Sequence, residues 1–199
     1  MSIFGALGDQ KIKMEESSKN EINKPLITRI AELEKENNRK LSGVQKILLT
    51  TDGSITAILD VLYGKIDLET LGQHFAAADF EQAKLVDANV GDELNFREVL
   101  LHQQGKPLMY AASEIPLSRC SEGIASDLMR ADIPIGRILK NHQVESRRRI
   151  NGIYIEKPDA KLREIFQTDE EMLARDYAII SGGNILMWIK EVFPISYFL

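Results

Sequence analysis

Apolar positions in the first third of the chain recur at helical spacing. Leu26, Ile30 and Leu33 lie among charges and predict an amphipathic helix over 26–39. A shorter helix is expected over Gly43 to Leu49. Thr50 to Ser54 is a cap-rich break, after which Ile55, Ile58, Leu59 and Leu62 resume the stripe until Gly64 ends it. From Ile66 to Phe75 the pattern is short and mixed, and from Phe80 to Glu93 it fits helix and strand equally. Leu94 to Leu101 and Leu108 to Ile115 are two apolar runs joined by Gln103, Gln104, Gly105, Lys106 and Pro107, the chemistry of a hairpin.

Ser121 is an N-cap for a helix carrying Ile124, Leu128 and Met129, ending near Asp132 before Pro134. Pro134 to Leu139 is read as a turn or a single helical turn, and Val144 to Ile155 as a strand rich in β-branched residues. Pro158 to Arg175 reads as a polar, partly helical insertion. A last hairpin joins Tyr177 to Ile180 with Ile185 to Phe193 through Ser181, Gly182, Gly183 and Asn184, where glycine supplies positive φ at little cost. Helices first and hairpin-linked strands later predict an α+β fold: one domain, with an antiparallel sheet of about six strands and helices packed against it. Residues 1–25 are polar and are expected to be a mobile arm, with the domain over 26–199.

Composition narrows the functions. The 199 residues are 44% hydrophobic and 28% charged, enough to bury a core. No apolar run approaches the roughly 20 residues that span a bilayer, so a cytoplasmic protein without a membrane partner is expected. A net charge of −5 argues against a broad nucleic-acid face, and no basic recognition helix is apparent. One cysteine, Cys120, and three scattered histidines provide no disulfide and no metal spacing, so neither metal nor cofactor is expected. Ser54, Ser181 and Cys120 have no base at motif spacing, and Gly182-Gly183 reads as a turn, not a phosphate cradle.

Two charges fall on apolar strand registers. Glu191 shares a face with Ile185, Met187, Ile189 and Phe193, and Arg97 with Val99 and Leu101. A carboxylate buried there must be partnered, solvated in a cavity or protonated. Either the two charges pair with each other or sit at a rim, or they line a ligand cavity in which the arginine fork takes a carboxylate and the acid donates a proton. In the cluster Arg147, Arg148 and Arg149, alternation sends Arg148 to one face and its neighbours to the other. Trp188 and Met187 alternate faces of one strand and read as packing residues.

Several segments occur in an order that resembles the chorismate pyruvate-lyases. They are Asp52-Gly53-Ser54-Ile55-Thr56, Asn95-Phe96-Arg97-Glu98-Val99-Leu100-Leu101, Gly105-Lys106-Pro107, Ile133-Pro134-Ile135-Gly136-Arg137 and Lys190-Glu191-Val192-Phe193-Pro194. The resemblance runs from about residue 42 to the C-terminus and is nearer a longer archaeal or cyanobacterial branch than the better-known bacterial members. It implies an antiparallel sheet enclosing a small aromatic ligand. It also implies the conversion of chorismate to 4-hydroxybenzoate and pyruvate without a cofactor, for quinone or pterin-type cofactor biosynthesis. By the same resemblance Arg97 holds the ring carboxylate, Ile135 contacts it through the backbone, and Glu191 is the general acid near the ring oxygen. Arg137 and Arg147 are implied as further substrate ligands, with Ile55 and Gly136 as contacts. The second reading is a non-catalytic effector-binding domain of the same fold, and the third is a structural protein in which Arg97 and Glu191 merely pair.

Overall fold

The computed structural model describes residues 23–130 and 133–199. Residues 1–22, most of the expected arm, lie outside it, as does Asp132, where one helix is expected to end. Lys24, inside the expected arm, pairs with Glu32 at 3.0 Å. From Leu26 on, three helices lie where periodicity places them: α1 (Leu26–Glu36), α2 (Gly43–Thr50) and α3 (Ile55–Tyr63). Ser42 and Gln45 form a capping box on α2, Ser54 caps α3 through the Ala57 amide, and Gly64, at φ 86°, ends α3.

A strand, β1 (Asp67–Ala77), and a helix, α4 (Phe80–Val86), then precede the hairpin β2 (Glu93–Gln103) and β3 (Lys106–Ile115). Next come α5 (Glu122–Arg130), α6 (Ile135–Asn141), β4 (Arg147–Glu156), α7 (Ala160–Phe166) and the closing hairpin β5 (Met172–Ser181) and β6 (Asn184–Pro194). The expected turn after Pro134 is a two-turn helix. The strand expected from Tyr177 begins five residues earlier, so the expected insertion contributes α7 and the first half of β5.

The six strands form one antiparallel sheet in the order β1-β2-β3-β6-β5-β4. Helices cover both faces. On one, α1, α2, α3, α5 and α6 bury Ile30, Leu33, Leu48, Leu49, Leu59, Leu128 and Ile138 against Leu101, Met109, Ile179, Met187 and Phe193. On the other, α4 packs Ala83 and Val86 on Ala178 and Ile180, and α7 packs Leu162 and Phe166 on Met172, Ala174 and Val192. Burial on both faces explains why β5 is buried along nearly its whole length. A register shift between Ile179 and Ile180 opposite β6 turns Ile185 to the α4 face, so it does not share a face with Met187 as strict alternation predicts.

Candidate active site

The starts of α3 and α6 approach the large-helix face of the sheet without filling it, and about 500 Å3 of space lies between them, part of it open to solvent. From the helices come Ser54, Ile55 and Thr56, and Pro134, Ile135 and Gly136. The sheet supplies a floor of Leu68, Val99, Leu101, Met109, Ala111 and Ile189, into which Arg97, Ser113, Arg148, Tyr177 and Glu191 are set. An apolar floor with a few placed polar groups is the usual make-up of a small-molecule site.

Pairing across strands dictates who meets whom. Glu191 on β6 stands opposite Arg175 on β5, with Tyr177 two residues further along the same face. Arg175 Nε donates to Glu191 Oε2 at 2.7 Å, and the Tyr177 hydroxyl donates to Oε1 at 2.8 Å. The Arg175 side chain is fully buried, and its Nη1 donates to the Thr51 carbonyl at 2.7 Å. Burial works against the charge of Arg175, but Glu191 and Tyr177 outweigh it, and the guanidinium pKa is raised above its ordinary value. Burial, then the Glu191 charge, pushes the Tyr177 hydroxyl well above the ordinary tyrosine value.

Glu191 therefore sits among apolar side chains as expected, but as the carboxylate of a buried ion pair. Both its oxygens already accept hydrogens from these two neighbours. The pairing with Arg175 removes the reading in which Arg97 is its partner. Arg97 is 1% exposed, and its Nη2 donates to the Ile133 carbonyl at 3.1 Å, just ahead of the α6 start.

Ile55, Arg97, Ile135, Gly136 and Glu191, all expected at the site, line this one cavity. Two expected ligands do not. Arg137 turns away along α6 and clasps Asp60, with Nη2 at 2.9 Å from Oδ2. Although burial pushes the Asp60 pKa up, the Ile66 amide and Arg137 outweigh it and hold it below the usual value. Arg147 is exposed. Arg148 faces the cavity instead; its Nη1 donates to the Asp52 carbonyl at 2.8 Å, and its guanidinium lies 5.8 Å from the Tyr177 ring centre.

Arg175 is the residue that sequence reasoning misses. The usable signal is a charge beside an apolar run, as at Glu191, but Arg175 is followed by Asp176 and falls at the end of the stretch read as a polar, partly helical insertion. Both are buried in the strand, one on each face. Asp176 is satisfied separately by Tyr154 Oη at 2.6 Å, Trp188 Nε1 at 2.9 Å and Asn151 Nδ2 at 3.1 Å. Trp188 is thus a packing residue with a polar anchor. Among the described residues no group of three or more His, Cys, Asp or Glu side chains is placed to hold a metal ion, and no helix is long and apolar enough to cross a membrane.

Comparison with known proteins supplies the remaining findings. The family model described as "Chorismate pyruvate-lyase Rv2949c-like" matches residues 49–198. The chain is 37% identical over 162 residues to "Putative lyase MJ0807" of Methanocaldococcus jannaschii, covering 78% of this chain and 80% of that protein. It is 26% identical over 171 residues to the chorismate pyruvate-lyase of Mycobacterium leprae, covering 83% and 81%. Among solved structures, the effector domain of PhnF from Mycobacterium smegmatis shares the fold with a TM-score of 0.63 at 13% identity, over 75% of this chain and 93% of that one.

Proposed function

Because the chain belongs to the Rv2949c-like chorismate pyruvate-lyase family, we propose that it cleaves chorismate to 4-hydroxybenzoate and pyruvate. One observation carries this reading. A single apolar-floored cavity presents two arginines, Arg97 and Arg148, and a carboxylate, Glu191, which is what a dianionic ring with an acidic hydrogen asks for. Arg97 and the Ile135 backbone take the ring carboxylate, with Gly136 and Ile55 closing on the ring edges. Arg148, in place of Arg147, takes the enolpyruvyl carboxylate.

Glu191 can deliver a proton only after receiving one, since it starts ion-paired. Its carboxylate removes the hydrogen from the ring carbon that bears the hydroxyl, and that electron pair completes the aromatic ring. The bond from the adjacent ring carbon to the enol-ether oxygen breaks, and its pair leaves as the enolate of pyruvate. Glu191 then passes the same proton to the enolate methylene, which becomes the methyl group of pyruvate. No atom is gained or lost, and general-acid assistance is the second half of a shuttle. Aromatisation drives the step, while fixed cations stabilise the departing enolate. The product would serve as the aromatic precursor of a quinone or pterin-type cofactor, made in the cytoplasm.

The test is direct. Full-length protein is incubated with chorismate, pyruvate is followed by a coupled dehydrogenase, and 4-hydroxybenzoate by chromatography; the two are expected in equal amounts. The fold likeness to effector domains gives the competing outcome: binding of 4-hydroxybenzoate with no pyruvate above the spontaneous background. That result would reject turnover and leave a ligand-binding domain.

A further inference from the structure

We propose that Arg175 is a positioning residue for the proposed reaction, holding the Glu191 carboxylate at one fixed orientation through its Nε–H while its Nη1 is anchored on the Thr51 carbonyl. Arg175 does not line the cavity, so it reaches a ligand only through the residues it holds, Glu191 and Tyr177 among them. The geometry is over-determined. Two donors on one strand, Arg175 and Tyr177, take one oxygen each, so the carboxylate can neither rotate nor withdraw from the cavity wall. The guanidinium also lies 4.9 Å from the Tyr177 ring centre, which keeps the two donors in register with each other.

Stability alone does not account for a guanidinium here. A buried ion pair adds little over well-packed apolar side chains of the same volume. Moreover, Arg175 Nη2 has no hydrogen-bond partner among the described residues, and an orphaned buried donor is a cost. What the arrangement does supply is a carboxylate held in one orientation by two donors and presented to the cavity. A proton shuttle needs both.

The inference rests on the lyase reading for its kinetic arm only. Arg175→Lys and Arg175→Gln are made in the full chain and compared with wild type for kcat, KM and the pH profile of chorismate cleavage. In Arg175→Gln, kcat should fall about 100-fold or more with KM changed less than about threefold, and the acid limb should move up by about one to three pH units. Lysine restores the charge but not the fork, so Arg175→Lys should bring back most of the acid limb and only part of kcat. If kcat falls while the acid limb stays in place in both variants, Arg175 is structural and the proposal is overturned.

A second measurement does not need turnover. The infrared carboxylate band assigned to Glu191 by its loss in Glu191→Gln should shift in frequency in Arg175→Gln at the same pH, because one of its two donors is gone. An identical band overturns the proposal even if chorismate is not a substrate, whereas absence of pyruvate in wild type alone rejects only the lyase reading. Should Arg175→Gln not fold, Arg175→Met, which also removes both the charge and the fork, carries both comparisons.

Discussion

Glu191→Gln changes one oxygen to an amide nitrogen and removes one charge, and the two changes have separate consequences in this structure. The amide oxygen can still accept from Arg175 Nε, and the amide nitrogen can donate to the Tyr177 oxygen once that hydroxyl turns, so the hydrogen-bond count survives. The countercharge does not. Arg175 is fully buried, and breaking a buried pair by removing one partner costs about 3–5 kcal/mol. Against a typical total of about 5–15 kcal/mol the variant folds but is markedly weakened. Urea unfolding at neutral pH reads this directly, as a lower midpoint at unchanged slope. Adding Arg175→Met should return most of the lost stability, because the orphaned cation is gone and an apolar side chain of similar length replaces it. Turnover should behave differently: pyruvate release should fall by about 100- to 10,000-fold in the single variant and stay low in the double, while 4-hydroxybenzoate still binds. A single variant within about 1 kcal/mol of wild type would refute the reasoning about the pair. One retaining a tenth of wild-type turnover would refute the shuttle.

Three more outcomes are expected from other parts of the molecule. A Cβ on Gly136 would lie 2.7 Å from Ser54 Oγ and 3.3 Å from Ser54 Cβ, so Gly136→Ala should displace the α3 cap, cost about 1 kcal/mol in urea unfolding and be relieved by Ser54→Gly; no loss means that the two helix starts are not in contact. Arg148→Met should raise KM for chorismate about 10- to 100-fold but alter 4-hydroxybenzoate affinity less than about threefold, since that product lacks the second carboxylate; equal losses in a titration of both ligands would reject the assignment of Arg148. Glu114, on the opposite sheet face, has its pKa pushed up to about 7 by burial and then by the Asp79 charge, so the stability it confers is full below about pH 4.5 and is lost as pH rises to about 7. Discounted for its partial exposure, the loss is about 1–2 kcal/mol; Glu114→Gln should remove that slope and gain the same amount at pH 8, and an unchanged pH profile of unfolding contradicts it.

Helices with one apolar stripe and strands that are apolar runs, such as β2 and β6, are legible in the chain; an exposed edge strand and a strand interrupted by paired charges are not. α1, α2 and α3 carry one apolar stripe each and lie where periodicity puts them. β1 is an edge strand with little burial on either face, so Asp67 to Ala77 has no alternation to read, and only its pairing with β2 makes it a strand. α4 does have a signal. Asp79 and Gln82 form a capping box, and an acid followed three residues later by glutamine marks a helix start within an otherwise ambiguous stretch. β5 reads as beginning five residues late because Arg175 and Asp176 are consecutive charges in a strand covered on both sides, each neutralised by partners distant in sequence.

The site's cations show which kind of reading carries furthest. Arg97 is legible because a single charge interrupts an apolar register, and its cavity position comes from that register alone. For the triplet at 147–149, the family resemblance points to Arg147, and alternation separates Arg148 from its neighbours without saying which face holds the cavity. The structure puts Arg148 across from Ile179 on the large-helix face, whereas Arg147 is exposed. Strand parity leaves no middle course, since a shift of one residue sends a side chain to the other face. Arg137 fails for the matching helical reason. Each step along α6 turns the side chain by about 100°, so the cavity contacts of Ile135 and Gly136 do not extend to their neighbour, which finds Asp60 on α3 instead. A resemblance gives the order of residues along the chain, whereas the geometry of a strand or helix gives their faces, and so the face a residue occupies decides which arginine reaches the cavity.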